Sequence, residues 1–95
     1  MEDKKLLQDA VDKVQFICDK IVKKENYAKE MPACVQAVQA GCLKLLEKKP
    51  TDGEVLPLLE DMMYGMTQQD EVFLLDVLRF GIREKLKREL ESIYE

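Results

Sequence analysis

Apolar residues recur every three or four positions along four segments of this chain, and no segment shows the strict alternation of a half-buried strand. The segments span residues 3–24, 32–48, 54–64 and 68–94. In the first of them the apolar stripe consists of Leu7, Ala10, Val11, Val14, Ile17, Cys18 and Ile21. In the last it consists of Leu75, Leu78, Ile82, Leu86, Leu90 and Ile93. This spacing predicts four amphipathic helices, of which the third is short and the fourth is long.

The breaks between the segments carry helix start and stop signals. Thr51 and Glu54, ahead of the third segment, have the spacing of a capping box. Gly65 is predicted as the residue just past the end of the third helix, where glycine is favoured. Thr67 and Asp70 repeat the capping-box spacing and predict a second cap, at the start of the fourth helix.

A chain of 95 residues has room for one hydrophobic core, and we expect a single domain over residues 1–95. Short connections between amphipathic helices favour an all-α fold, a small antiparallel bundle of four helices. The order of two helices, a short helix and a long helix is similar to that of four-helix bacteriocin immunity proteins, although no diagnostic motif accompanies the similarity.

The fourth predicted helix would reach roughly 40 Å, and the third would span less than half of that length. A second apolar stripe, Phe73, Val77 and Phe80, lies on its first half. Either the other helices enclose this stripe or it meets a partner. A homodimer is one way to cover the part of the fourth helix that the shorter helices leave exposed.

The composition excludes several kinds of chemistry. The chain has no histidine, which removes Ser-His-Asp, Cys-His and histidine-based zinc sites. Cys18, Cys34 and Cys42 have no Cys-x-x-Cys spacing, and we interpret them as buried thiols in a reducing cytoplasm, which leaves open whether one of them is reactive. Its four glycines stand alone, so there is no glycine-rich phosphate loop. We expect no catalytic residue, no metal and no cofactor.

No uncharged apolar run approaches the roughly 20 residues of a membrane span. The N-terminal segment has charges among its apolar residues and does not resemble a signal peptide. We therefore expect a soluble, cytoplasmic protein with no membrane partner.

Acidic residues are concentrated in the middle of the chain. Residues 50–78 contain seven acids and no base, whereas residues 1–49 carry a net charge of +2 and residues 79–95 one of +1. The seven acids are Asp52, Glu54, Glu60, Asp61, Asp70, Glu71 and Asp76. A segment of this kind can attract a basic partner.

Five residues of this segment form the predicted partner-binding face. Helical angles place Tyr64 on the outer side of the third helix with Glu60 and Asp61, and Asp70 and Glu71 follow near the start of the fourth. We expect these five side chains to form an acidic surface with one aromatic residue in it.

Phe16 is a separate candidate contact. On the first helix it falls almost opposite the apolar stripe, among the charged residues Asp12, Lys13, Asp19 and Lys20. An aromatic residue in these surroundings either contacts a partner or is covered by a chain terminus.

These features predict a small non-enzymatic protein-binding or regulatory module, of the adaptor, inhibitor or immunity type. The alternative is a nucleic-acid-associated regulator that uses a basic face of the fourth helix, where Arg79, Arg83 and Lys87 recur every four residues. Acids spaced to pair with bases, such as Glu89 with Lys85, predict that this face is mostly solvated and self-paired. Nucleic acid is the less favoured partner because the sequence pI is near 4.9.

Overall fold

The computed structural model describes the backbone of residues 2–94 and the side chains of residues 3–92, and every regular element in it is a helix. The first three helices are α1 (Glu2–Val22), α2 (Met31–Lys48) and α3 (Val55–Thr67). The fourth, α4, runs through residues 71–94 as two α-helical stretches, Glu71–Asp76 and Arg83–Tyr94, joined by the π-helical stretch Val77–Ile82. The prediction of four helices with a short third and a long fourth is confirmed. None of the described helices is both long enough and apolar enough to cross a membrane.

The four helices share one core, which is built from the predicted apolar stripes. Its fully buried side chains include Leu7, Val14 and Ile17 of α1, Val38 and Leu45 of α2, Val55 and Met62 of α3, and Leu78, Ile82 and Leu86 of α4. Leu75 and Leu90 are half-buried at the edge of this core. The side chain of Ile93 lies outside the described residues.

The turn between α3 and α4 differs from the prediction at Gly65. Helix α3 continues past this residue to Thr67, and Gly65 is buried against the first turns of α4. A Cβ atom at Gly65 would lie 3.3 Å from the Cα atom of Leu74 and 3.2 Å from the ring of Phe73. The glycine therefore permits two helices to approach closely. The left-handed residue that follows α3 is Gln69, with φ 54°.

Both predicted capping boxes are wrong. Because Gln69 is left-handed, α4 begins three residues later than predicted, at Glu71. Its N-cap is Asp70, whose carboxylate accepts a backbone N–H of the first turn at 3.1 Å. Ahead of α3, Glu54 occupies the N-cap position, but its side chain makes no capping bond and instead accepts a hydrogen bond from Lys85.

The π-helical stretch turns Phe80 out of the core. A π turn takes in more residues than an α turn, so the positions along it rotate away from an α-helical stripe. Val77 is buried and Phe73 is half-buried, but Phe80 is 63% exposed, with the Arg79 guanidinium 4.7 Å from the centre of its ring. Enclosure of this stripe by the other helices therefore holds for Val77 and fails for Phe80.

A buried charge cluster ties the turn after α2 to the second half of α4. Lys85 is only 5% exposed, and its ammonium group donates to Asp52 at 2.6 Å and to both Glu54 and Glu89 at 3.0 Å. Lys49 adds a second ammonium group, 3.1 Å from Glu89. The expectation of a solvated face is therefore wrong at Lys85 and Glu89, which do pair with each other but are buried beneath the turn.

Candidate partner-binding surface

The structure places all five predicted face residues at the surface. Glu60, Asp61 and Tyr64 are exposed on α3, and their three- and four-residue spacing puts them on one side of the helix. Asp70 and Glu71, also exposed, lie at the start of α4, where they line a shallow depression together with Tyr64. The turn therefore brings Tyr64, Asp70 and Glu71 together, and Glu60 and Asp61 lie one turn further back along α3. We call these five residues the acidic face.

Tyr64 is supported by a second aromatic residue. Its side chain is 58% exposed and meets the Phe73 ring edge-on, with ring centres 5.8 Å apart and an interplanar angle of 82°. Val72, in the first turn of α4, is 74% exposed and lines the same depression. An aromatic and an aliphatic side chain therefore stand exposed among the carboxylates.

The acids of the middle segment differ in their partners. Asp52 and Glu54, ahead of α3, form ion pairs with the buried Lys85. Glu60, Asp61 and Asp70, by contrast, form no ion pair with any lysine or arginine among the described side chains. The charge of the acidic face is therefore not compensated from within this part of the protein.

Glu71 has a partner that sequence reasoning missed. The Tyr27 hydroxyl, in the connection between α1 and α2, donates a hydrogen bond to the Glu71 carboxylate at 2.7 Å. Burial, together with this hydrogen bond and the charge of Glu71, raises the pKa of Tyr27 to about 12, so the hydroxyl remains a donor at neutral pH. The two residues are 44 positions apart, and no local pattern connects them.

A groove of about 980 Å³ lies beside the acidic face. One wall comes from the end of α1 and its connection to α2, and the other comes from the turn between α3 and α4. Its apolar lining includes Ile21, Tyr27, Ala28, Met31, Met66, Val72, Leu74 and Leu75. Its charged lining consists of Lys24, Glu25, Asp70 and Glu71. We call this site the turn groove.

The two turns that form its walls share one backbone design. After α1, Lys24 is left-handed with φ 58°, and the next N–H bonds the carbonyl of Lys20 at 2.8 Å. After α3, Gln69 is left-handed with φ 54°, and the next N–H bonds the carbonyl of Gly65 at 3.0 Å. Each turn is a Schellman motif that lacks the glycine usually found at its left-handed position. Neither left-handed residue is a glycine, and the glycine signal read at Gly65 falls four positions before Gln69.

Phe16, the separate contact predicted on α1, lies outside this surface. Its side chain is 47% exposed and does not line the turn groove. The Lys20 ammonium group stands 5.1 Å from the centre of its ring. Within the described part of the chain no terminal segment hides Phe16, so it remains a candidate contact apart from the acidic face.

The three cysteines are free and buried, as predicted. Burial raises the pKa of Cys34 to about 12 and that of Cys42 to about 11, and it also raises the pKa of Cys18. The thiols are therefore protonated and poorly nucleophilic at neutral pH. Among the described residues, no three acidic or cysteine side chains are grouped so as to hold a metal ion.

Comparison of the chain with protein-family models, curated proteins and solved structures found no match. The fold and surface define a small all-α bundle with an acidic, partly apolar face.

Proposed function

We propose that this protein is a small non-enzymatic binding module that recruits a basic segment of another protein through the acidic face, Glu60, Asp61, Tyr64, Asp70 and Glu71. The observation that carries the proposal is the occurrence of uncompensated carboxylates and exposed apolar side chains on one surface. Protein interfaces combine aromatic anchors with a polar rim in this way.

Several acids elsewhere on the surface have partners within the chain. Asp9 pairs with Lys13 at 2.6 Å, and Asp3 lies 3.7 Å from Lys44. Such pairs leave little net field at a distance, whereas Glu60, Asp61 and Asp70 have no ion-pair partner among the described side chains, and their field is opposed near the groove by Lys24 alone. A lysine- or arginine-rich segment would neutralise this field and would associate faster because of it.

Adaptor, inhibitor and immunity-type roles all fit such a module, and we propose the cytoplasm as its compartment. The nucleic-acid alternative has less support. Lys85 is enclosed by carboxylates, and the Nε atoms of Arg79 and Arg83 are buried. Of the predicted basic face, Arg79 and Arg83 are half-buried and only Lys87 is exposed, so the acidic face is the better-supported site.

The test is a charge reversal of the acidic face in the full chain, with Glu60→Lys, Asp61→Lys and Glu71→Lys combined. Asp70 is kept because it caps α4. Proteins that cross-link to the wild type are identified by mass spectrometry, and each is then assayed against the variant. We expect partners with a basic segment to be lost.

A matched control reverses the same number of charges elsewhere, with Asp9→Lys on α1, Glu47→Lys on α2 and Glu91→Lys on α4, at exposed residues that line neither the depression nor the turn groove. It should keep the partners, because these acids lie away from the acidic face. If the face variant keeps the same partners as the control and its circular dichroism spectrum is unchanged, the acidic face is not the binding surface.

A further inference from the structure

We infer that the turn groove binds one bulky apolar side chain, of the leucine or methionine class, from the basic segment that the acidic face recruits. The inference rests on the proposed function and adds to it the part of the partner that enters the protein. Its basis is the continuity of the two sites, since Asp70 and Glu71 belong both to the acidic face and to the rim of the groove.

The floor of the turn groove is apolar and only partly covered. Met31 and Leu74 are buried in it, whereas Ile21, Met66 and Leu75 are half-buried and keep apolar surface in contact with water. Displacing that water by an apolar side chain is favourable. The volume, about 980 Å³, also leaves room for the neighbouring backbone of a bound segment.

Charge at the rim selects what flanks the bound side chain. Glu25, Asp70 and Glu71 line the groove against a single cation, Lys24. Lysine or arginine on either side of the apolar residue would meet opposite charge, whereas an acidic segment would meet like charge. The occupant is therefore an apolar residue within a basic stretch.

The walls of the groove are joined before any segment binds. Tyr27 on one wall donates its hydrogen bond to Glu71 on the other at 2.7 Å. Each wall also contains a Schellman motif that fixes the backbone of its turn. A preformed site loses less conformational entropy on binding than one that must be ordered.

A second copy of this chain is the competing occupant. Two exposed aromatic residues stand beside a cation, Phe16 with Lys20 and Phe80 with Arg79. Insertion of either ring into the turn groove of another copy would make a head-to-tail contact, which propagates into open chains unless its rotation closes a ring. The net charge of −4 on every copy opposes the accumulation of many copies in such an open chain, although it does not prevent a closed dimer. We therefore assign the groove to a different, basic protein.

The experiment uses the full chain and a labelled synthetic peptide in which a single leucine is flanked on both sides by lysines. One matched peptide replaces the leucine by serine, and a second replaces the lysines by glutamates. Fluorescence anisotropy measures affinity, and amide chemical-shift changes locate the site. We expect the leucine peptide to bind at least roughly tenfold more tightly than the serine peptide, because burial of a leucine is lost in the latter.

Two variants at Val72, which is 74% exposed, test the groove without disturbing the core. Val72→Lys adds a cation to the acidic rim, and Val72→Ser removes the apolar contact without adding charge. Both variants should bind the leucine peptide less tightly, and Val72→Ser should bind the serine peptide with unchanged affinity. Leu43→Lys on α2, at a residue that is 61% exposed and outside the groove, is the control and should change nothing.

The outcomes separate this inference from the proposed function. If the leucine and serine peptides bind with equal affinity and amide chemical shifts change only near Glu60 and Asp61, the groove is not the binding site of an apolar side chain, whereas the acidic face still binds the basic segment. If neither lysine peptide binds, both proposals are wrong. Equal binding of the glutamate peptide overturns the basic occupant, and growth of the protein's own mass with concentration, blocked by Val72→Lys, assigns the groove to a second copy.

Discussion

Lys85 keeps its charge in a buried position because of its partners. Burial alone would lower its pKa, but the hydrogen bonds to Asp52, Glu89 and Glu54 outweigh this effect and raise the pKa above the ordinary value of a lysine. The hydrogen bond from Lys85 lowers the pKa values of Asp52 and Glu54. At Glu89, burial works against the hydrogen bonds from Lys85 and Lys49, and the pKa is still lowered.

The substitution Lys85→Met tests this cluster. It leaves Asp52 and Glu89, whose side chains are 10% and 8% exposed, without their shared cation. Breaking a buried ion pair from one side costs about 3 kcal/mol, so we expect a loss of this size in the free energy of unfolding measured by urea denaturation. Lys87→Met, at an exposed position of the same helix, is the control and should change the value by less than about 0.5 kcal/mol. Equal effects of the two substitutions would show that the cluster does not stabilise the fold.

The same cluster predicts a pH dependence with a definite sign. The pKa values of the carboxyl groups are lowered in the folded state. Their contribution to the free energy of unfolding is therefore complete above the ordinary pKa values, 3.8 for Asp52 and 4.5 for Glu89, and it is lost as the pH falls below them. At the other limit, the contribution of Lys85 is complete below its ordinary value of 10.5 and is lost as the pH rises through the higher folded value. We therefore expect the free energy of unfolding of the wild type to decrease as the pH is lowered from about 4.5.

In the Lys85→Met variant this acid dependence should be smaller or reversed, since protonation relieves carboxylates that lack a cation. Urea denaturation at a series of acidic pH values measures the slope of the free energy of unfolding against pH in the wild type and in the variant. An unchanged slope in the variant would place the source of the acid sensitivity outside the cluster.

At the scale of the elements, the turn between α3 and α4 shows how tertiary contact overrides a local signal. Gly65 has the residue type expected past a helix end, yet it lies inside α3 because α4 packs against it. The left-handed position falls instead on Gln69, a residue with a Cβ atom and hence with a higher backbone energy there.

This arrangement predicts opposite effects at two neighbouring glutamines. Gln69→Gly should raise the free energy of unfolding by roughly 0.5–1 kcal/mol, because glycine adopts the left-handed conformation without steric cost. Gln68→Gly should lower it by a similar amount, because Gln68 has an ordinary φ of −82° and glycine only adds freedom to the unfolded chain. Thermal unfolding of the pair is the measurement, and the same sign for both substitutions would contradict the role of Gln69.

At the scale of the whole molecule, the net charge of −4 understates the contrast between its surfaces. The acids ahead of α3 are compensated by Lys85, and the acidic face is not. The rate of association with the lysine-flanked peptide should therefore fall steeply between low salt and about 0.15 M salt, with little change in the dissociation rate. Stopped-flow measurements check this, and a salt-independent association rate would argue against electrostatic attraction by the face.

The homodimer stays a prediction, now with a definite residue attached to it. Phe80 is 63% exposed on the long helix, which makes it the part of the second apolar stripe that a partner would cover. Light scattering at high micromolar concentration should give a mass above the 11.0 kDa of one chain, and Phe80→Lys should return it to that value. A wild type that remains at the mass of one chain would exclude the dimer.

The helices, the apolar faces they bury and the exposure of the acidic face could all be inferred from local spacing, because a helix fixes the angles between residues a few positions apart. The Lys85 cluster, the Tyr27–Glu71 hydrogen bond and the turn groove could not. The first joins Lys85 to Asp52 across 33 positions, and the second spans 44. Which segments meet depends on how the helices pack, and that packing decides which charges are neutralised, which glycine is needed for close approach and where apolar surface stays open.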